Sequence, residues 1–295
     1  MLVPQFSIVI PAYNAEEHIA RSIKSVIGQT FVDWELIIVN DGSIDETKAV
    51  VETFLIDGRI RYFDQKNQGV SSARNFGASC AIAPWLVFLD SDDEILSDCL
   101  DRFVESIKFT NADAVVASSS YSVLPDGTIL RRMKCDQSLG FQVITGSWCM
   151  KRQAFNKLGG YDSQLKFGEN FDLFIRFKMH SFTHTLVEQS RLQYHIAANR
   201  ADKHKKNKVK DSIYILNKNK LFFQGNPKSK WNQYNNIAVL APRIGQLMLS
   251  LEYFGKSIRM RPFYWKSYFR ILRAFPDWLK FHMERLCESS YKASS

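Results

Sequence analysis

The chain has 295 residues, of which 45% are hydrophobic and 13% aromatic. That length admits one large domain or a domain with an appendage, and that apolar share supports a sizeable core and excludes global disorder. The net charge of +9 is unevenly spread: residues 1–199 carry 19 Lys+Arg against 24 Asp+Glu, a net of −5, whereas residues 200–295 carry 20 against 6, a net of +14.

This asymmetry predicts a domain over 1–199 that binds a small ligand or catalyses, and a basic helical extension over 200–295 drawn to a polyanion, either a membrane surface or nucleic acid. No apolar run is long enough to cross a bilayer. The opening "MLVPQFSIVIPAYN" lacks the basic start of a secretory signal. Five scattered cysteines with no CxxC spacing predict reduced thiols and a cytoplasmic chain.

In chain order, "FSIVI" (6–10) is a β-branched apolar run broken by "PAYN". The segment 15–27 places Ile19, Ile23, Val26 and Ile27 on one helical face. "WELIIV" (34–39) is the next strand, stopped by "NDGS", and Asp45 opens a helix containing Val50, Val51, Phe54 and Leu55. "RIRYF" (59–63) is a third strand, residues 70–82 a third helix and "WLVFLD" (85–90) a fourth strand. Alternation of apolar strands with helices predicts an α/β domain with a mostly parallel sheet covered on both faces. Ligands of such sheets sit beyond the carboxyl ends of the strands. The segments there, "PAYN", "NDGS", "DQKNQG" and "DSDD", are all polar and are expected to line one crevice.

A helix at about 97–109 and a strand "ADAVVAS" (112–118) follow. "VLPDGTIL" (123–130) has the turn chemistry of a hairpin. "ITGSWCMKR" (144–152) reads as a strand leading into a helix, "LGGYD" as a turn and "ENFDLFIRFKMH" (169–180) as a helix. "HTLVE" and "LQYHI" read as two short strands. Beyond residue 200, apolar residues from Ile237 to Phe254 recur at helical spacing and Gly255 is expected to end that helix. "RPFYWKSYFRILRAFP" (261–276) reads as a short helix between two prolines, either packed in a helical hairpin or lying at a membrane interface.

Taken singly these loops are generic turns. In order, at the ends of successive strands, the Pro-Tyr-Asn turn, the Asp-Gly-Ser turn, "NQGVSSARN" and "FLDSDDE" resemble the inverting family-two glycosyltransferases of the GT-A fold, a Rossmann-like architecture. The resemblance covers residues 6 to about 195. It implies that Pro11, Ala12, Tyr13 and Asn14 line a nucleoside pocket, that Asp41 hydrogen-bonds the base, usually uracil, and that Arg74 reaches the nucleotide. Asp90 and Ser91 would contact the donor. Asp92 would hold Mn2+ or Mg2+ on the diphosphate, with His195 near the metal. Hard oxygen ligands suit these ions, which commonly take one or two carboxylates plus phosphate oxygens. Asp93 and Glu94 read as the solvated start of the next segment.

An inverting displacement needs a general base facing the acceptor hydroxyl. The family places an Asp where this chain has Asn170, an amide without basicity. Glu169 or Asp172 would then be the catalytic base, or the chain binds a donor without efficient turnover. Gly146 would allow close approach of the sugar and Trp148 would stack on it, unless it packs in the core. The reaction implied is transfer from a nucleotide-sugar donor, UDP-type, to a glycan or lipid-linked acceptor in surface polysaccharide synthesis. It would proceed in the cytoplasm, with peripheral binding to the inner face of the membrane through 200–295. A nucleotidyltransferase is disfavoured because "PAYNAEEH" lacks a glycine-rich basic phosphate loop. A nucleic-acid binder is disfavoured by the acidic crevice.

Overall fold

Continuous apolar runs at the start of the chain become strands buried on both faces. In the computed structural model, which describes residues 3–124, 126–134, 145–195, 205–264, 268–269, 272 and 274–282, β1 (Phe6–Ala12) and β2 (Trp34–Asn40) are buried at every position. Ile8, Ile10, Leu36 and Ile38 join Ile19, Ile23 and Val26 of α1 (Ile19–Ile27) in one core. Val9, Ile37 and Val39, pointing the other way, join Ala73 and Ala78 of α3 (Val70–Cys80) in a second. Each such Val, Leu or Ile side chain taken fully out of water contributes roughly 1.5–3 kcal/mol, so both faces hold the sheet. Gly77 lets α3 approach closely: a Cβ there would stand 2.4 Å from Val9 Cγ1.

The remaining elements of this part are α2 (Thr47–Glu52), β3 (Ile60–Asp64), β4 (Trp85–Phe88), β5 (Glu94–Ile95), α4 (Cys99–Phe109), β6 (Ala114–Val123), β7 (Ile129–Lys134), β8 (Trp148–Lys151), α5 (Arg152–Lys157), α6 (Glu169–Met179) and β9 (His184–His195). The sheet order is β3-β2-β1-β4-β8-β6-β9-β5, with β7 paired to β6. The four leading strands run parallel. In register, Ala12 stands beside Asn40 and Asn40 beside Asp64, so their carboxyl ends form one edge. β8 pairs antiparallel with both β4 and β6, which makes the second half mixed.

Two short strands were expected over 184–195, where one 12-residue strand stands. The polar "EQSR" resembles a turn, but pairing with β6 continues through register shifts near Ser119. Cys80, Cys99 and Cys149 are free thiols; Cys135 and Cys287 lie outside the described residues.

The chain divides into two compact units, Met1–Ala198 and Asn199–Ser295. The second is helical: α7 (Lys205–Lys218), α8 (Lys220–Gly225), α9 (Pro227–Leu240), a 3-10 turn (Ala241–Ile244) and α10 (Leu247–Met260). The expected helix end at Gly255 is wrong, because that residue lies inside α10. The break falls at Gly245, in the left-handed region at φ 79°, after a turn containing Pro242. α9 and α10 then pack as a hairpin, with Asn235 Nδ2 donating to Ser257 Oγ at 2.8 Å and Ser250 Oγ to the Ala238 carbonyl at 2.6 Å. Residues 274–282 are helical, so Pro276 does not end that segment; the "YWKSYFRIL" stretch is only partly within the described residues. Among the described residues no helix is long and apolar enough to cross a membrane.

Candidate active site

Parallel strands deliver four polar turns to one edge, and hydrogen bonds knit the first three together. After β1, Asn14 takes a left-handed conformation at φ 48°. Its N–H donates to Ser43 Oγ at 2.9 Å, and its Oδ1 accepts the Ile44 N–H at 3.0 Å. Asn40 at the end of β2 holds Ser43 and reaches Asp64 Oδ1 at 2.8 Å. The "PAYN", "NDGS" and "DQKNQG" segments therefore form one framework. Pro11 and Ala12 are buried within β1, while Asn14 is exposed and Tyr13 is 51% exposed, so Tyr13 and Asn14 are the parts of this turn open to a ligand.

Asp41 is buried, and both its oxygens are already engaged. Oδ1 accepts from Gln65 Nε2 at 2.7 Å and the Gln68 N–H at 2.9 Å, and Oδ2 accepts the Gly69 N–H at 2.8 Å. Its visible work is to fasten the 65–69 loop to the end of β2.

Arg74 on α3 is 2% exposed and crosses the site. Its Nη2 donates to Asp90 Oδ1 at 2.6 Å and its Nη1 to Glu169 Oε1 at 2.9 Å, while the guanidinium lies 5.1 Å from the Tyr161 ring centre. Burial works against its charge, but Asp90, Tyr161 and Glu169 outweigh that and hold its pKa above the ordinary value. Tyr161, also buried, donates to Asn170 Oδ1 at 3.0 Å. Burial pushes that phenol well above its usual pKa, which keeps it a donor at neutral pH. Asn170 Nδ2 donates to Thr145 Oγ1 at 3.1 Å. Asn170 is thus held between Tyr161 and Thr145, beside a carboxylate that shares its cation with Asp90.

The acids after β4 behave unequally. Ligand oxygens of Asp90, Asp92 and Asp93 all lie within 4.8 Å of one another. Asp93 is fully buried, which corrects its expectation as a solvated acid. Its Oδ1 accepts the His195 N–H at 3.0 Å. Glu94 is also structural: its Oε1 sits 2.8 Å from His195 Nε2 and 3.2 Å from Arg21 Nε. Arg21 Nη2 in turn donates to the Asp92 carbonyl at 2.7 Å, and Ser22 Oγ to the Asp93 carbonyl at 2.7 Å. Helix α1 thereby braces the acidic turn. His195 Nε2 is engaged with Glu94, not directed at the triad.

Three further expectations change. Asp172 is fully buried and bound by Arg176 Nε at 2.8 Å, so it is a core ion pair and not a base open to substrate. Trp148 is 5% exposed and packs on Phe88 in the second core, so it does not offer a stacking face. Gly146 sits at φ 84°, and a Cβ there would stand 2.5 Å from Leu192 Cδ1; backbone conformation and core packing account for the glycine. Ser91 is half-buried in the turn. Thr145, Tyr161 and Arg21 were not anticipated, and a helical residue such as Arg21 carries no local signal that it will reach a loop 71 positions away.

Comparison with known proteins fits this geometry. Residues 7–159 match the family model described as glycosyl transferase family 2. The chain is 38% identical over 115 residues to the glycosyltransferase EpsJ of Bacillus subtilis, covering 39% of this chain and 33% of that protein. It is 28% identical over 181 residues to the hyaluronan synthase of Pasteurella multocida, covering 59% of this chain and 19% of that protein. The chain thus matches a third or less of the length of these relatives. Among solved structures, S. aureus TarS 1–349 in complex with UDP-GlcNAc superposes with a TM-score of 0.69 at 16% identity, over 99% of this chain and 92% of that one. The mannosyltransferase PcManGT of Pyrobaculum calidifontis, in complex with GDP-Man and Mn2+, gives 0.63 at 13% identity, over 88% and 76%. With a GT-A sheet, four polar turns on its carboxyl edge and a match over more than half its length, the chain belongs to glycosyl transferase family 2.

Proposed function

We propose that the protein transfers a sugar, with inversion, from a nucleoside-diphosphate donor, UDP-type, to a hydroxyl of a glycan or lipid-linked acceptor. The observation that carries this reading is the buried Arg74 joining Asp90 on the donor side to Glu169 at the start of α6. One cation sets the spacing between leaving-group contact and base. The acceptor oxygen would attack the anomeric carbon while the bond from that carbon to the diphosphate oxygen breaks, and the acceptor proton would pass to Glu169. Asn170, fixed by Tyr161 and Thr145, would orient the acceptor without taking its proton.

The oxygen-only triad suits Mg2+ or Mn2+, with Asp92 as the main ligand and Asp90 and Asp93 beside it. Such an ion, when bound, neutralises charge growing on the departing diphosphate. Tyr13 and Asn14 would meet the nucleoside, with Gln65 and the 67–69 backbone, tied down by Asp41, as the adjoining wall. Ser91 remains a proposed donor contact. The acceptor is met at the inner face of the cytoplasmic membrane, through residues 200–295, and nucleic acid has no part.

A panel of UDP- and GDP-sugars with Mn2+, read by donor hydrolysis and by thermal stabilisation, tests the reading. Stabilisation by one nucleotide class and turnover lost in Glu169→Gln are expected. No stabilisation by any nucleoside diphosphate, with or without metal, overturns it. The presence of Asn170 favours a second reading, a donor binder impaired in catalysis. Stabilisation without turnover, unchanged in Glu169→Gln, selects it.

A further inference from the structure

A helix in a small domain ordinarily turns its apolar face inward. The helical stretch 274–282 does this on one side only. Ala274 is 3% exposed, Trp278 Nε1 donates to the Gly245 carbonyl at 3.2 Å, and the Phe281 ring occupies the space a Cβ on Gly245 would need. On the opposite side Phe275 is 55% and Leu279 47% exposed, and Leu272, at helical spacing before them, is 72% exposed. At about 100° per residue Phe275 and Leu279 fall about 40° apart and roughly 100–160° from Ala274 and Phe281, with Trp278 at the edge between the two sides. Phe263, Tyr268 and Phe269 add exposed aromatic surface to the same segment. Scattered exposed apolar residues are ordinary, but this concentration on an already anchored helix marks a contact surface.

Charge chooses the occupant. Residues 200–295 carry a net +14, and exposed Arg259, Arg261 and Lys280 adjoin the apolar residues in sequence. A second copy of this unit would bring two strongly positive bodies together, which is unfavourable. A duplex nucleic acid would use the charge and leave the aromatic surface in water, and a single strand would stack bases on the aromatic rings but has no use for the exposed aliphatic Leu272 and Leu279. Aromatic and leucine side chains beside basic ones are what the headgroup boundary of an anionic bilayer accepts. With no spanning helix among the described residues, the unit would lie on the membrane and not through it.

We propose that the exposed face of Leu272, Phe275 and Leu279, in a unit made basic by residues such as Arg259, Arg261 and Lys280, is an interfacial anchor that docks this unit on an anionic lipid bilayer. The proposal deepens the membrane setting given above and rests on that reading only for the inner-face location. The test is flotation of the full chain with phosphatidylcholine vesicles and with vesicles containing phosphatidylglycerol, at low and moderate salt. Flotation is expected only with the anionic vesicles, and the double variant Phe275→Ser/Leu279→Ser should reduce it by at least about tenfold, with the melting temperature unchanged. Leu272→Gln, at the most exposed of the three helix positions, gives a milder loss should the double variant fold poorly.

Absence of flotation overturns the proposal. So does binding that the serine variant leaves intact and salt alone abolishes. Light scattering that shows a dimer lost in the serine variant, with vesicle binding unchanged, assigns the face to a second copy and also overturns it. Donor hydrolysis in the absence of vesicles reports separately on the transferase reading.

Discussion

The two halves of the first unit build their share of the site by different means. From residue 6 to 95, each polar turn follows its own strand, so four sequence-local motifs arrive together because four parallel strands end at one edge. From 145 to 195, the site residues stand in a mixed region and are fixed by contacts across long separations: Thr145, Tyr161, Glu169 and Asn170 are all tied, directly or through one partner, to Arg74. The first half supplies a rigid receptacle. The second supplies the proposed base, whose position depends on one buried cation.

That contrast is broken most severely by removing the cation. Arg74→Met leaves Asp90 and Glu169 without their shared partner, which should cost about 3 kcal/mol of stability and lower donor turnover by about 10²-fold or more. Chemical denaturation and initial-rate assays read both. Glu169→Gln keeps the hydrogen-bond geometry but removes basicity. Turnover should fall by about 10²–10⁴-fold, while nucleotide-induced thermal stabilisation persists.

Asp172→Asn tests the neighbouring acid. Because its carboxylate is an interior ion pair with Arg176, the variant should lose about 3 kcal/mol of stability and keep its rate per folded molecule. A rate loss like that of Glu169→Gln, without destabilisation, would reassign the base. In the receptacle half, Arg21→Met removes the brace on the Asp92 carbonyl and should raise the Mn2+ concentration for half-saturation by about tenfold. Electron paramagnetic resonance titration with UDP present measures this apart from activity.

The smallest effect concerns acid stability. Burial alone would raise the Asp113 pKa, but the Thr183 N–H and Lys151 outweigh it and hold it below the usual 3.8. Its contribution is therefore complete above the unfolded value and is lost as pH falls through the lower folded one. Asp113→Asn should flatten the acid limb of the unfolding curve below about pH 4 by on the order of 0.5 kcal/mol.

What was legible in the sequence follows the same division. β1 to β4 and their turns could be read because burial on both faces writes each strand as an unbroken apolar run. The "DSDD" turn announced itself by composition, yet only the structure separates buried Asp93 from half-buried Asp90 and Asp92. Asp172 could not be assigned from sequence, since its spacing from Glu169 does not reveal that Arg176 waits one turn further on. Trp148 and Gly146 suggest sugar-facing roles by their place in the sequence, but core packing accounts for both. The helix break at Gly245 was placed at Gly255 because apolar periodicity runs through both. Proline and a left-handed glycine together, and not glycine alone, mark the interruption.

The three donors on Asp41 have a consequence for how the 65–69 loop, the proposed wall of the donor site, can change. A buried carboxylate that holds three donors from residues 65, 68 and 69 ties that loop to the end of β2. Reshaping that loop would strand a buried charge, so large insertions there should be destabilising. On the proposed function, preference for one base over another would change through the exposed side chains of Lys66 and Asn67 on a fixed backbone, since Gln65 itself holds Asp41. In that sense Asp41 governs which mutations the 65–69 loop can tolerate.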